Sequence, residues 1–228
     1  MHMDGTEFIR EQLNMVRQRR LTVPEAAAVF DTDAAEIRRA VERGTLEASL
    51  EQRGARQHRL VAADHVLVWL MAKPLRPDYY KIISKSFFKP ESWQVERNRV
   101  FLSFSSGDTT SAPKYLIYLD DVIGTVSKRL KELDDAQTRI ETRKGADPVI
   151  KGTEIEAHRI AALLNGGVSV EDVLRDFPSL TREQVAAAAA YSKAYPKQGR
   201  PFPNRSAKSA MRAGRGGLRR AFAAADED

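Results

Sequence analysis

The sequence predicts a mainly α-helical protein with small β elements, and three observations carry that expectation. Apolar residues recur at helical spacing along most of the chain. Ser, Thr or Asp stands three residues before an acid, or before Gln, at several candidate helix starts. Strand-like alternation is confined to two short regions. Pro- and Gly-rich punctuation divides the 228 residues into four parts: 1–73, 74–145, 146–196 and 197–228.

Residues 1–20 read as an amphipathic helix with Phe8, Ile9, Leu13 and Val16 inward, closed by Arg17, Arg19 and Arg20 against the helix dipole. Thr22 and Glu25 have capping-box spacing, Asp33 and Glu36 repeat it, and Gly44 is placed to end the second of these helices. "TLEASL" and "HRLVA" then alternate as strands around "EQRGAR", and Asp64 is placed to cap the apolar helix "HVLVWLMA". Helix, turn, helix, two-stranded wing and helix over residues 21–72 resemble the winged helix-turn-helix of excisionase and MerR-like DNA-binding domains. That resemblance implies DNA contacts from Arg38, Arg39 and Arg43 on the second helix, and from Arg53, Arg56, His58 and Arg59 on the wing. The alternative is an ordinary solvated surface, because Asp33, Glu36, Glu42, Glu47 and Glu51 balance these cations.

"KPLRPDYY" marks a boundary, and beyond it Tyr79, Ile82, Ile83 and Phe87 suggest a short helix. "WQVERNRVFLSFSS" and "KYLIYLDDV" suggest strands on either side of a loop. From Asp120 to Thr142 the pattern is helical, with Val122, Val126, Leu130, Leu133 and Ile140 in one stripe. This α+β middle part is expected to link or dimerise.

Asp147-Pro148 opens an extended segment, Gly152-Thr153 a turn, and Ile160, Leu163 and Leu164 a helix stopped by Gly166-Gly167. Ser169 and Asp172 cap the next helix, "DFPSL" ends it, and Thr181 with Gln184 caps a third whose alanines permit close approach. The expectation is a three-helix, homeodomain-like bundle. Its last helix offers only Arg182 and Lys193 as cations, so dimerisation or scaffolding fits it better than DNA reading.

"DPVIKGTEI", the double glycine and "SVEDVLRDFPSLTREQVAAAAAYS" together resemble a small bacterial domain long catalogued as of unknown function. That domain occurs in VapB-like antitoxins of type II toxin–antitoxin systems. The resemblance covers Asp147 to Tyr191 and departs at Glu154, where the family usually carries Arg. It implies an antitoxin that represses its own operon through the N-terminal module, as a homodimer on operator DNA. It also implies a C-terminal extension that occupies a PIN-like ribonuclease toxin.

The tail suits that role by charge. Eight basic residues from Lys197 onward face three acidic ones, so the tail carries +5 of the chain's +6. Gly and Pro are frequent there, and free disorder is expected. Under the resemblance, Arg205, Lys208, Arg212, Arg215 and Arg219 would meet the toxin's metal-binding carboxylates. Met211, Leu218 and Phe222 would anchor them. A nucleic-acid arm is the other reading, since "GRGG" resembles short RNA-binding repeats. A stand-alone transcriptional regulator or excisionase-like protein without a toxin is the rival for the whole chain.

Other classes find little support. With no cysteine there is no disulfide framework or thiolate metal site. His2, His58, His65 and His158 are scattered, and Asp120-Asp121 and Asp134-Asp135 are neighbours that point apart on a helix. "AGRGG" lacks the Gly-Lys-Ser/Thr of a phosphate loop. No enzyme activity, metal or cofactor is expected. No apolar run is long enough to span a bilayer, and the start lacks the order of a secretory signal, so a cytoplasmic protein is expected.

Overall fold

The computed structural model describes residues 5–53, 56–73, 83, 93–96, 99–105, 114–143, 145–197, 199 and 202. Helices predominate, and the strands are short and antiparallel. The chain forms two compact units, Met1–Lys131 and Glu132–Asp228. No described helix is long and apolar enough to cross a membrane.

The first unit opens with α1 (Gly5–Gln18), whose Ile9, Leu13 and Val16 are buried. Phe8, expected inward, is 43% exposed because the i, i+4, i+7 stripe starts at Ile9. The helix also ends earlier than expected. Arg20–Thr22 leave it to form β1, which pairs antiparallel with β3 (Arg56–Ala62), Leu21 opposite Val61. In α2 (Val23–Phe30) the capping box is complete: the Thr22 hydroxyl accepts from the Glu25 amide at 3.4 Å, and the Glu25 carboxylate accepts from the Thr22 amide at 2.6 Å.

Helix α3 (Ala34–Glu42) begins with only half of its expected box. Asp33 accepts from the Ala35 amide at 2.8 Å, but the Glu36 carboxylate accepts instead from Lys73 Nζ at 2.7 Å. At its other end Gly44 takes φ +70°, the left-handed conformation glycine adopts without a Cβ clash. The Gly44 and Thr45 amides then reach back to the Val41 and Ala40 carbonyls, satisfying two groups a helix end leaves open. Strand β2 (Ala48–Arg53) pairs with β3 from Ala48↔Val61 to Arg53↔Arg56, giving sheet order β1-β3-β2.

Helix α4 (Ala63–Ala72) has Ala62 at its N-cap, so Asp64 is not the cap. It lies buried in the first turn and accepts from the His65 amide. The Ala63 amide donates to the Arg19 carbonyl at 3.0 Å, which supplies the partner a capping side chain would otherwise provide. Helix α2 packs on α3, α4 and β3, and α1 on α4.

Later in this unit, β4 (Trp93–Glu96), β5 (Arg99–Ser105) and β6 (Lys114–Tyr118) form a separate sheet in that order. The run expected as one strand therefore folds as two. Of the residues expected in a helix before it, Ile83 is described and buried, while Tyr79, Ile82 and Phe87 lie outside the described residues. Helix α5 (Asp120–Arg139) buries Ile123, Val126, Leu130, Leu133 and Ala136. Val122 falls outside this stripe and is 40% exposed; its neighbour Ile123 takes the inward phase. Arg129 on α5 donates to the Val29 carbonyl at 3.0 Å, closing the C-terminal end of α2.

The second unit begins within α5. Ile140–Glu141, expected as the helix end, form β7 and pair with β8 (Val149–Ile150). Then come α6 (Ala157–Asn165), α7 (Val170–Asp176) and α8 (Arg182–Ala194). Ser169 accepts from the Asp172 amide, and Thr181 with Gln184 forms a second complete capping box, as expected. Ile150, Ile160, Leu163, Val173, Val185, Ala188 and Tyr191 meet in one core. Alanines at 187 and 188 let α8 lie close against α6.

Candidate nucleic-acid interface

The face α3 shows to solvent follows from its inward residues. Ile37 and Ala40 are buried, so Arg38, Arg39, Glu42 and Arg43 are left outside. Among the described residues, neither the Arg38 nor the Arg43 guanidinium has a hydrogen-bond or ion-pair partner. Arg39 turns its Nε back to the Ala35 carbonyl at 3.2 Å.

Two open grooves flank this helix. One, toward α4, is lined by Glu36, Arg39, Arg43, Thr45, Trp69 and Lys73. The other, toward the hairpin, is lined by Val41, Glu42, Leu46, Leu50 and Arg59. Leu50 is 66% exposed there. His58 is half-buried opposite Glu51 on the hairpin. Arg53 and Arg56 form its last register pair, and their side chains lie outside the described residues.

The seven expected DNA contacts are thus dispersed. Arg39 and Arg43 share one groove, Arg59 lines the other, and Arg38 lines neither. Lys73 and Trp69 join the first pair, although the sequence marks them only by a lysine that follows an apolar run. The Lys73 hydrogen bond and charge hold the Glu36 carboxyl below its ordinary pKa.

The second unit treats its cations differently. Arg139 pairs with Asp135 at 2.8 Å, Arg143 with Glu141 at 2.9 Å, Arg175 with Asp172 at 2.6 Å and Arg182 with Glu171 at 2.9 Å. Arg159 lies 5.4 Å over the Phe177 ring. Lys197 pairs with Asp147 and stands 4.4 Å over the Phe202 ring. His158 is buried, with Nδ1 3.1 Å from the Ser192 hydroxyl. Among the described residues no group of His, Asp and Glu could hold a metal ion.

Residues 138–192 match the family described as "Protein of unknown function (DUF433)". That segment takes in the last two residues of α5, both strands β7 and β8, helices α6 and α7, and α8 as far as Ser192. A curated relative, "Uncharacterized protein y4eO" of Sinorhizobium fredii, is 35% identical over 77 residues. The aligned stretch is 32% of this chain and 35% of the relative, so the chain spans about a third of the curated protein it matches. No solved structure matches. Inside the DUF433-like segment Glu154 is well exposed, and the Arg143 guanidinium lies 3.9 Å from its carboxylate. Arg205, Lys208, Met211, Arg212, Arg215, Leu218, Arg219 and Phe222 all lie outside the described residues.

Proposed function

We propose that this chain is a VapB-like antitoxin that binds operator DNA with its first unit and a PIN-like ribonuclease toxin with its C-terminal tail. In this reading α2, α3, the β2–β3 hairpin and α4 form a winged helix-turn-helix, with α3 as the recognition helix. Helices α6 to α8 form the homeodomain-like antitoxin domain, and two chains pair on the operator. One observation carries the DNA half: a solvent-facing helix surface bears Arg38 and Arg43 without partners among the described residues, beside an antiparallel hairpin. The toxin half is supported by the DUF433-like segment and by the concentration of net charge from Lys197 onward.

Each half is testable in one preparation. Truncation after Phe202 keeps Lys197 on Asp147 but removes every proposed toxin contact. A charge-assisted contact contributes about 1.5–3 kcal/mol, so losing several should abolish inhibition at stoichiometric protein. Ribonuclease activity of the adjacent gene product is titrated with full-length and truncated chain, and retention of the upstream DNA fragment is measured alongside. The expected result is lost inhibition with DNA binding kept. Full inhibition by the truncated chain rejects the tail as the toxin contact. Absence of any nuclease gene beside this one favours the stand-alone regulator.

A further inference from the structure

The groove between α3 and α4 has a charge pattern that helix capping does not explain. Lys73 follows the last turn of α4, where a cation suits the helix dipole, and it pairs with Glu36 at 2.7 Å. That pair is neutral in sum. Arg39 and Arg43, one helical turn apart on the opposite wall, then leave the groove with two positive charges. Arg43 has no partner among the described residues, and Arg39 spends only its Nε on its own helix. Trp69 lines the same groove, with the Lys73 ammonium 5.7 Å from its ring.

Guanidinium forks with an ammonium point charge suit a phosphate, whose oxygens accept from both. The groove is open, so a free anion would keep its water and gain little there. A phosphate carried on a polymer already held by α3 would be delivered without that cost. We propose that this groove seats one backbone phosphate of a DNA duplex, held by Arg39, Arg43 and Lys73, the phosphate displacing the Glu36 carboxylate that otherwise occupies Lys73. The proposal rests on the DNA-binding reading and deepens it. Arg39, Arg43 and Lys73 set register without reading sequence, and Arg38 is left to face the bases.

The test is anisotropy titration of the full-length chain over a series of salt concentrations. It uses two labelled duplexes of equal length, the upstream region and a scrambled sequence. Each phosphate neutralised contributes about 0.9 to the slope of log affinity against log salt. Arg43→Ala with Lys73→Ala should weaken both duplexes by the same factor, on the order of tenfold, and flatten the slope by about one. Glu36→Gln removes the competing carboxylate and should tighten both duplexes several-fold, a gain that misfolding cannot produce. An unchanged slope in the double variant, or a loss confined to the upstream duplex, overturns the phosphate seat alone. Wild-type chain that retains neither duplex overturns the DNA reading and this inference with it.

Discussion

The α2–α3 pair and the α7–α8 pair are built from the same local parts and treat their arginines in opposite ways. Each is a short helix, a tight turn and a second helix, with a complete capping box at Thr22 in the first pair and at Thr181 in the second. Yet the five described arginines of the second unit each meet a carboxylate or an aromatic ring, whereas Arg38 and Arg43 meet neither among the described residues. Exposed ion pairs contribute only about 0–1 kcal/mol each, so stability does not account for the contrast. Pairing does cancel the field that would draw a polyanion. Availability of charge, more than the number of arginines, separates a surface suited to nucleic acid from one suited to protein.

The largest effect is expected from the cores, on which the contrast depends. Ile37 in the first unit and Ile160 in the second are fully buried. Truncation of either to alanine should destabilise its own unit by about 2–5 kcal/mol, through lost transfer energy and the cavity left behind. Amide hydrogen exchange reads the two units separately. Loss of protection in both units from either change would mean that they unfold together, and the comparison would then concern one cooperative body.

Next in size is the pairing itself. Arg38→Ala with Arg43→Ala should weaken binding to the upstream duplex on the order of a hundredfold, given about 1.5–3 kcal/mol per charged contact. Arg175→Ala with Arg182→Ala removes the same formal charge, but from residues held by Asp172 and Glu171. Less than about a threefold change is expected there, as for a rim charge that is already cancelled. Gel shifts at one fixed salt concentration compare the pairs. Equal losses would show that total charge governs binding, and the distinction between paired and unpaired arginines would fail.

What the sequence made legible was local. The boxes at Thr22 and Thr181, the Gly44 stop and the Gly166-Gly167 break depend on residues within a turn of one another, and each formed. What it hid depends on distant partners. Asp33 and Glu36 have the same spacing, but Lys73, 37 residues away, takes the Glu36 carboxylate. Strands β1 and β7 are three and two residues long, too short to show alternation, and exist through pairing with β3 and β8. Adjacent apolar residues leave the phase of a stripe ambiguous: Phe8, expected inward together with Ile9, is exposed, and Ile123 takes the inward place expected of Val122. The candidate interface followed the same rule: residue types on α3 could be read ahead, while the groove joining Arg39 and Arg43 to Trp69 and Lys73 could not.

The smallest expected effect is a pH dependence in the second unit. Burial lowers the His158 pKa, the nearby Lys197 charge lowers it further, and Asp147 partly opposes both. The hydrogen bond to Ser192 does not decide the matter, because a hydroxyl can donate to neutral imidazole or accept from its charged form. With the folded pKa below the unfolded one, the unfolded chain binds more protons just below pH 6.5, and stability there rises with pH. Acidification from pH 7.5 to 5.5 should therefore lower the unfolding midpoint of the second unit. His158→Gln should remove that part of the slope. Lys197→Gln should move the His158 titration upward, read from its imidazole proton resonances. A downward move would reverse the role given to Lys197, and Asp147 would then govern the site.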